Sequence, residues 1–312
     1  MYDPIKPYKK DISELIKQTW QTPYVSIEEG IYPSLERKFL GLEIDHTDGI
    51  GTKGFYHWQE GTLKEAVLDA LAMNLNDLAI VGAVPYKLQD HILVPEEDER
   101  IIKIIKFLVD ECKKRTIAIT GGEISFQKNI NGLDISLTVS GFIENRRSNK
   151  FKAGDVLLGI ESSGLHSNGF TKVREIFGSE IKPEFTIPTN IYLDTIIDLN
   201  KRFDIHGMCH ITGGAYTKLK ELLNECDAVI RRSHSLKPHK IFHELHERGV
   251  LDEEMYKTFN CGVGFILSIA QKDVEGILRN IRDFKADIIG KVITGNRKVI
   301  IESNFSNREL IF

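Results

Sequence analysis

Asp48-Gly49-Ile50-Gly51-Thr52-Lys53 puts a carboxylate, two glycines, a hydroxyl and an amine within one short run. Gly49 and Gly51 let backbone N–H groups approach an anion, Thr52 adds a donor and Lys53 a point charge. Asp48 beside such a cradle suits a Mg²⁺ bridging phosphate oxygens, an ion that takes one or two carboxylates plus substrate oxygens. The competing reading is a glycine turn with solvated charges, because short glycine motifs are common.

Asp69-Ala70-Leu71-Ala72-Met73-Asn74-Leu75-Asn76-Asp77 is the second candidate. On a helix Asp69, Met73, Asn76 and Asp77 share a face, and polar side chains there are costly unless they have work to do. Asp69 and Asp77 stand ~12 Å apart along the axis and do not chelate one ion together. Asp77 and Asn76 are expected to serve the site with Asp48, and Asp69 a second ion or another ligand group. Thr120-Gly121-Gly122-Glu123 follows an apolar strand, where α/β proteins collect ligands; Glu123 is a third candidate metal carboxylate, and Gly121 and Gly122 candidate phosphate contacts.

In the second half, Ser162-Ser163-Gly164-Leu165-His166-Ser167-Asn168-Gly169 is dense in small hydrogen-bonding residues just before a helix. Helix-start amides with Ser and Asn side chains make an oxyanion or phosphate site. His166 could donate to a phosphate or act as general acid or base. A simple N-terminal cap by Ser167 or Asn168 is the plainer account. His206 and His210 precede Thr212-Gly213-Gly214; without a zincin glutamate they read as structural histidines. Cys261, in Phe259-Asn260-Cys261-Gly262-Val263-Gly264, has no activating neighbour and reads as a core thiol.

The elements that must position these groups alternate in type. A polar helix is expected over Asp11–Trp20, a strand over Lys38–Asp45, a helix over Thr62–Val81 with a Thr62/Glu65 capping box and Gly82 past its end. A strand at Tyr86–Val94, a periodic helix at Arg100–Lys114 and strands at Ile117–Ile119 and Leu133–Ile143 follow. Asn145–Lys152, polar and basic, is the best linker. Beyond it come a strand at Val156–Ile160, helices at Phe170–Phe177, Asn190–Asn200 and Tyr216–Leu223, a strand at Gly262–Ile269, a helix at Lys272–Phe284, and strands at Ile288–Val292 and Lys298–Glu302. This interleaving predicts two α/β (α+β) domains, 1–147 and 148–312.

Composition narrows the class. The 312 residues are 41% hydrophobic and 28% charged, with net charge -4. That balance is globular and offers no polyelectrolyte field for nucleic acid. The leading Met1-Tyr2-Asp3-Pro4 with Lys6, Lys9 and Lys10 opens no signal peptide, and no apolar run reaches ~18 residues, so no membrane span is expected. Four scattered cysteines point to reduced thiols and a cytoplasmic protein rather than disulfides or zinc.

Taken in order, Asp48–Lys53, Asp69–Pro85, Gly121–Glu123, Ser162–Phe170, Pro188–Tyr192, His210–Gly214 and Met255–Gly264 resemble the aminoimidazole ribonucleotide (AIR) synthetase family. The runs SSGLHSNG and TFNCGVG carry the resemblance most specifically. It implies a two-domain fold whose N-terminal domains pair into a central β-barrel in a homodimer. It implies ATP and Mg²⁺ as cofactors and a ribonucleotide substrate, formylglycinamidine ribonucleotide, closed to AIR with release of ADP and phosphate. By matched position Asp48, Asp69, Asp77 and Glu123 are the metal and ATP residues. His166, Ser167, Asn168 and Thr212–Gly214 are substrate-side or phosphate contacts, with His166 and Asn168 the catalytic pair. The chain departs from the family where Ile124 follows Glu123 and a second acid is lost, and where Ala215 replaces a third glycine. Two other readings stand beside this one: another ATP-using enzyme of the superfamily acting on a different amide or amidine, and a non-catalytic nucleotide-binding dimer. The chain has no early reactive Cys for a selenophosphate synthetase and no terminal Cys for the hydrogenase-maturation relative, and a thiamine-phosphate kinase lacks the two specific runs.

Overall fold

A computed structural model describes residues 8–30, 32–144 and 146–312. The leading residues 1–7 and Asn145 of the expected linker lie outside the described residues. The chain divides into two compact units, one ending at Arg146 and the other starting at Arg147.

The first unit carries α1 (Lys9–Lys17), a hairpin of β1 (Val25–Glu28) and β2 (Ser34–Arg37), β3 (Leu42–Gly49), α2 (Lys53–Glu60), α3 (Leu63–Ile80), β4 (Ala83–Val94), α4 (Arg100–Lys114), β5 (Ala118–Phe126) and β6 (Asp134–Ile143). The four longer strands form one sheet in the order β3-β6-β4-β5. Strand alternation decides which face is covered. In β6, Ile135, Leu137 and Val139 are fully buried, whereas Asp134, Ser136 and Thr138 between them are partly exposed. Helix α3 packs on β3, β4 and β6 and is itself almost wholly buried, as expected of a helix apolar nearly all round. The N-terminal segment satisfies the outer edge of β5: Trp20 Nε1 donates to Ile119 O (2.8 Å), Ile119 N to Thr19 Oγ1 (2.8 Å) and Thr22 Oγ1 to Thr116 O (3.1 Å). An edge covered in this way is closed to stray strand pairing.

Three local expectations need correction. The strand expected over Lys38–Asp45 begins at Leu42 and runs to Gly49, so Asp48 is a strand residue rather than a turn residue. Lys53 opens a helix that periodicity did not reveal. Thr62 makes no capping box: its hydroxyl pairs with His57 Nδ1 at 2.8 Å, leaving the start of α3 without a side-chain cap. Gly82 does follow α3, at φ 67°.

The second unit contains β7 (Val156–Glu161), α5 (Phe170–Phe177), α6 (Leu193–Arg202), β8 (Ile205–His210), β9 (Cys226–Ile230), α7 (Lys240–Glu247), α8 (Asp252–Thr258), β10 (Val263–Ile269), α9 (Val274–Asn280), β11 (Ala286–Thr294), β12 (Val299–Glu302) and β13 (Glu309–Ile311). Its sheet runs β13-β12-β9-β11-β7-β10-β8, antiparallel except for β9 beside β12. Every residue of β10 is buried. The helix expected at Tyr216–Leu223 is a 3₁₀ segment, Ala215–Glu221. The two units together are the α/β (α+β) class expected from the interleaved pattern.

Candidate active site

In the first unit the acids are held at the ends and edges of the sheet. Asp48 pairs across to Leu137, Leu137 to Asp90, and Asp90 to Gly122, so these residues form one row on the helix-covered face. A Cβ on Gly122 would lie 2.5 Å from the Asp90 carboxylate, which is why glycine stands there. Two residues before Asp48 on the same face, His46 approaches Asp77 of α3 (Nε2–Oδ2 3.3 Å) and Asn74 (Nδ1–Oδ1 3.1 Å). Asn74 Nδ2 also donates to Asp48 O at 3.1 Å. The Asp77 hydrogen bond raises the His46 pKa against the opposing effect of burial, with Asn74 and the charges of Asp77 and Asp48 adding to it. Asp48 and Asp77 therefore flank one histidine at the rim of β3. Sequence spacing missed His46, although i, i+2 alternation in a strand could have placed it beside Asp48.

The amides of the glycine run are directed at carboxylates. Gly49 N donates to Asp48 Oδ1 at 2.7 Å, and the Gly51 amide helps hold Asp134, whose pKa burial nevertheless raises. Gly51 sits at φ 53° and Gly49 has Ile135 O 2.8 Å from where a Cβ would be, so conformation requires the first and space the second. Asp134, half-buried at the start of β6, is a second residue the sequence reading did not single out.

Four expected roles are corrected by the geometry. Lys53 is fully buried and its Nζ lies 3.0 and 2.8 Å from the two oxygens of Asp69, also fully buried. His57 Nε2 is 2.9 Å from Asp69 Oδ2. Burial alone would raise the Asp69 pKa, but the Lys53 charge and the His57 hydrogen bond hold it far below the carboxylate range. Lys53 and Asp69 are thus an internal ion pair joining α2 to α3, and neither reaches a phosphate or a metal from there. Asn76 is fully buried within α3, and Asn74 is the amide that reaches β3. Glu123 is exposed and pairs with exposed His91 on the opposite face from Asp90. Three strand spacings separate β3 from β5, about 14 Å. Asp48, Asp77 and Glu123 therefore do not converge on one ion within a single chain.

A Mg²⁺ caged entirely by protein is not what these side chains make: among the described residues no group of three or more His, Cys, Asp and Glu is placed to hold a metal. Asp48 and Asp77, each partly exposed beside His46, fit the other mode, one or two carboxylates under an ion that arrives on phosphates.

In the second unit three loops meet. The 162–169 loop, the turn after β8 and the run before β10 are tied by Asn260 Nδ2 to Gly164 O (2.8 Å), Tyr216 Oη to Asn260 O (2.9 Å), Ser162 N to Gly262 O (3.0 Å) and Thr212 Oγ1 to Asn168 Oδ1. His166, 2% exposed, directs Nδ1 to Ile211 O at 3.1 Å, and its ring centroid lies 5.4 Å from that of His210. Gly213 lies against Asn168, where a Cβ would meet Nδ2 at 2.9 Å. The structure thus brings His166, Ser167, Asn168, Thr212, Gly213 and Gly214 into one neighbourhood. Gly169, at φ 86°, caps α5 without a side-chain bond, so neither Ser167 nor Asn168 is the cap considered above. Tyr192, at the end of the Pro188–Tyr192 run, donates its hydroxyl to Glu161 O at 2.7 Å, and that hydroxyl occupies the space over Gly264. His206 pairs with Asp155 on a strand, in keeping with a structural role, and all four cysteines are buried and free.

The AIR synthase related protein family matches this chain with its N-terminal domain over residues 44–143 and its C-terminal domain over 152–302. A phosphoribosylformylglycinamidine cyclo-ligase of Saccharolobus solfataricus is 33% identical over 303 residues, covering 94% of this chain and 91% of that one. The Pyrococcus furiosus protein of the same name is 34% identical over 274 residues, 82% and 80% of the two chains. Among solved structures, hydrogenase maturation protein HypE in complex with ATP superposes with a TM-score of 0.70 over 99% of this chain and 95% of that one, at 15% identity. That likeness is one of fold.

Proposed function

Because the chain belongs to the AIR synthase related family of phosphoribosylformylglycinamidine cyclo-ligases, we propose that it is a ligase that closes formylglycinamidine ribonucleotide to AIR at the expense of ATP. The observation that carries this reading is the meeting of the 162–169, 210–215 and 260–264 loops, the most specific motifs of the chain, around His166 and Asn168. The formyl amide oxygen attacks the γ-phosphorus and ADP leaves. The amidine nitrogen then attacks the activated carbon, the C–O bond breaks, phosphate departs with the oxygen, and the nitrogen loses its proton. Asp48 and Asp77 would hold Mg²⁺, which supplies charge neutralisation for the polyphosphate. Gly49, Gly51 and Thr52 line the approach to it, with Gly121, Gly122 and Glu123 on the other edge of the sheet. His166 is the candidate proton carrier; Ser167, Asn168 and Thr212–Gly214 orient anionic substrate oxygens. A homodimer built on the first unit's sheet, working in the cytoplasm, completes the proposal.

The test is direct. The protein incubated with ATP, Mg²⁺ and formylglycinamidine ribonucleotide should yield AIR and ADP in equal amounts, and Asp77→Asn should abolish both while leaving the circular-dichroism spectrum unchanged. ADP without AIR would assign the protein to a different amide or amidine substrate. Neither product from folded protein would make it a binding protein.

A further inference from the structure

The second unit carries a cationic cleft away from the three converging loops. Residues 147–151 run beside β8 as a strap. Lys150 N donates to His206 O (3.0 Å), and Asn149 brackets Met208 through Met208 N to Oδ1 (2.6 Å) and Nδ2 to Met208 O (3.0 Å). The buried Phe151 ring anchors the strap over Gly207, where a Cβ would lie 2.4 Å from it. Strap and strand enclose a cleft of about 330 Å³ lined by Arg147, Lys150, Lys152, Asp204 and His206. Arg147 and Lys150 are tethered by Nη1 to Phe203 O (3.0 Å) and Nζ to Glu221 O (2.6 Å). Their positions are therefore fixed while the residues stay exposed.

His206 is set by a buried relay. Its Nδ1 lies 2.9 and 2.8 Å from the two oxygens of Asp155, which is 4% exposed and also accepts from the fully buried Ser268 Oγ at 2.6 Å. The carboxylate on Nδ1 fixes the orientation of the ring, and Nε2 lies 3.5 Å from Asp204 at the cleft wall. Three cations, two of them tethered, against one exposed carboxylate, in a chain of net charge -4, form a local anion trap, and a charge-assisted donor set of this kind selects phosphate. The volume exceeds that of a bare phosphate and leaves room for a sugar-sized substituent.

We infer that this cleft binds a dianionic phosphate group, free or as the monoester of a small sugar, with Arg147, Lys150 and Lys152 as its cationic contacts and the His206 ring on its wall. The test follows the His206 ring ε1 resonance of the full chain during separate titrations with ribose 5-phosphate, inorganic phosphate and ribose. A saturable shift is expected for a phosphate-bearing ligand, with Kd of about 1 mM or tighter, weakening as salt is added. Tighter binding of ribose 5-phosphate identifies the sugar monoester as the source; equal affinities identify free phosphate. Lys152→Glu should weaken binding by about fivefold or more, and Arg147→Ala gives a second reading should that chain fail to fold. No saturable shift, the same shift with ribose, a shift confined to His166, or binding indifferent to both substitutions would overturn the inference.

Discussion

Lys53→Met separates two accounts of the DGIGTK run. As a phosphate contact, Lys53 would govern ATP affinity and leave stability alone. In the structure it is fully buried with both oxygens of Asp69 within 3.0 Å, so its removal leaves a buried carboxylate without the lysine charge, beside His57. Breaking one partner of such a pair costs about 3–5 kcal/mol. At about 2–4 °C per kcal/mol for a unit of this size, the first unit's melting transition should fall by roughly 6–20 °C. Asp69→Leu alone should cost a similar amount, since it strands Lys53. The double variant should recover most of the loss, short by about 1 kcal/mol for the hydrogen bond that His57 no longer makes. Calorimetry of the four proteins closes the cycle, with an expected coupling of about 5–9 kcal/mol. The pair also fixes a sign in pH. Asp69 titrates below its unfolded value, so its contribution is fully present above about pH 4 and is lost as pH falls toward the depressed folded pKa. Lys53→Met should therefore lose stability near neutral pH and be less sensitive to acid than the parent. A variant that melts within 1 kcal/mol of the parent while its KM for ATP rises would refute the buried-pair account.

His234 is buried, its Nδ1 has no hydrogen-bond partner among the described residues, and burial with the nearby Lys237 lowers its pKa to about 4. It folds neutral, so the unfolded chain takes up the extra proton and stability should drop by at most about 2 kcal/mol between pH 6.5 and 4, then level off; a His234 NMR titration midpoint near 6.5 would contradict this. Gly264→Ala sets a Cβ 1.9 Å from the Tyr192 hydroxyl and 3.1 Å from His166 Cε1. Displacing His166 in this way should cut turnover by about 10²-fold, and normal kcat would show that His166 does not depend on this wall. Ala215 holds a left-handed φ of 40°, so Ala215→Gly should stabilise the second unit by up to about 1 kcal/mol, read as a small rise in melting temperature; a fall would mean that the methyl group packs better than the backbone suffers.

How far the sequence could be read depended on the range of the interaction concerned. Helix α4, with Ile101, Ile104, Ile105, Leu108 and Val109 all buried, follows directly from 3.6-residue periodicity because every term in it is local. The loops around His166 and Asn168 were also legible, since dense small polar residues before a helix have few other uses. The acids were not. Nothing along the chain says that β6, the last strand of its unit, inserts between β3 and β4, and that insertion carries Glu123 away from Asp48. Nor could spacing show that Lys53 turns inward, because a helix beginning at Lys53 and one beginning two residues later would aim it at different neighbours. Asp134 acquires its meaning from the distant Gly51 amide, and His46, which strand alternation could have placed beside Asp48, acquires its partners only when α3 brings Asn74 and Asp77 to β3.

The separation of Asp77 from Glu123 makes the proposed homodimer testable by activity alone. Asp77 faces His46 at the β3 edge, and Glu123 stands on the exposed face of the other edge strand, about 14 Å away by strand count. If one site takes Asp77 from one copy and Glu123 from the other, Asp77→Asn and Glu123→Gln chains are each inactive as pure dimers. In a mixed dimer one site then carries both substitutions and the other carries neither. Random exchange of equal amounts gives half mixed dimers, each with one intact site, so about a quarter of parental activity should return. If both acids serve a site within one copy, no intact site exists in any combination and mixing restores nothing. The experiment needs only that both variants fold and exchange subunits, which mass-tagged chains can verify. An inactive mixture of exchanged dimers would refute a site that takes Asp77 from one copy and Glu123 from the other, whatever the overall reaction.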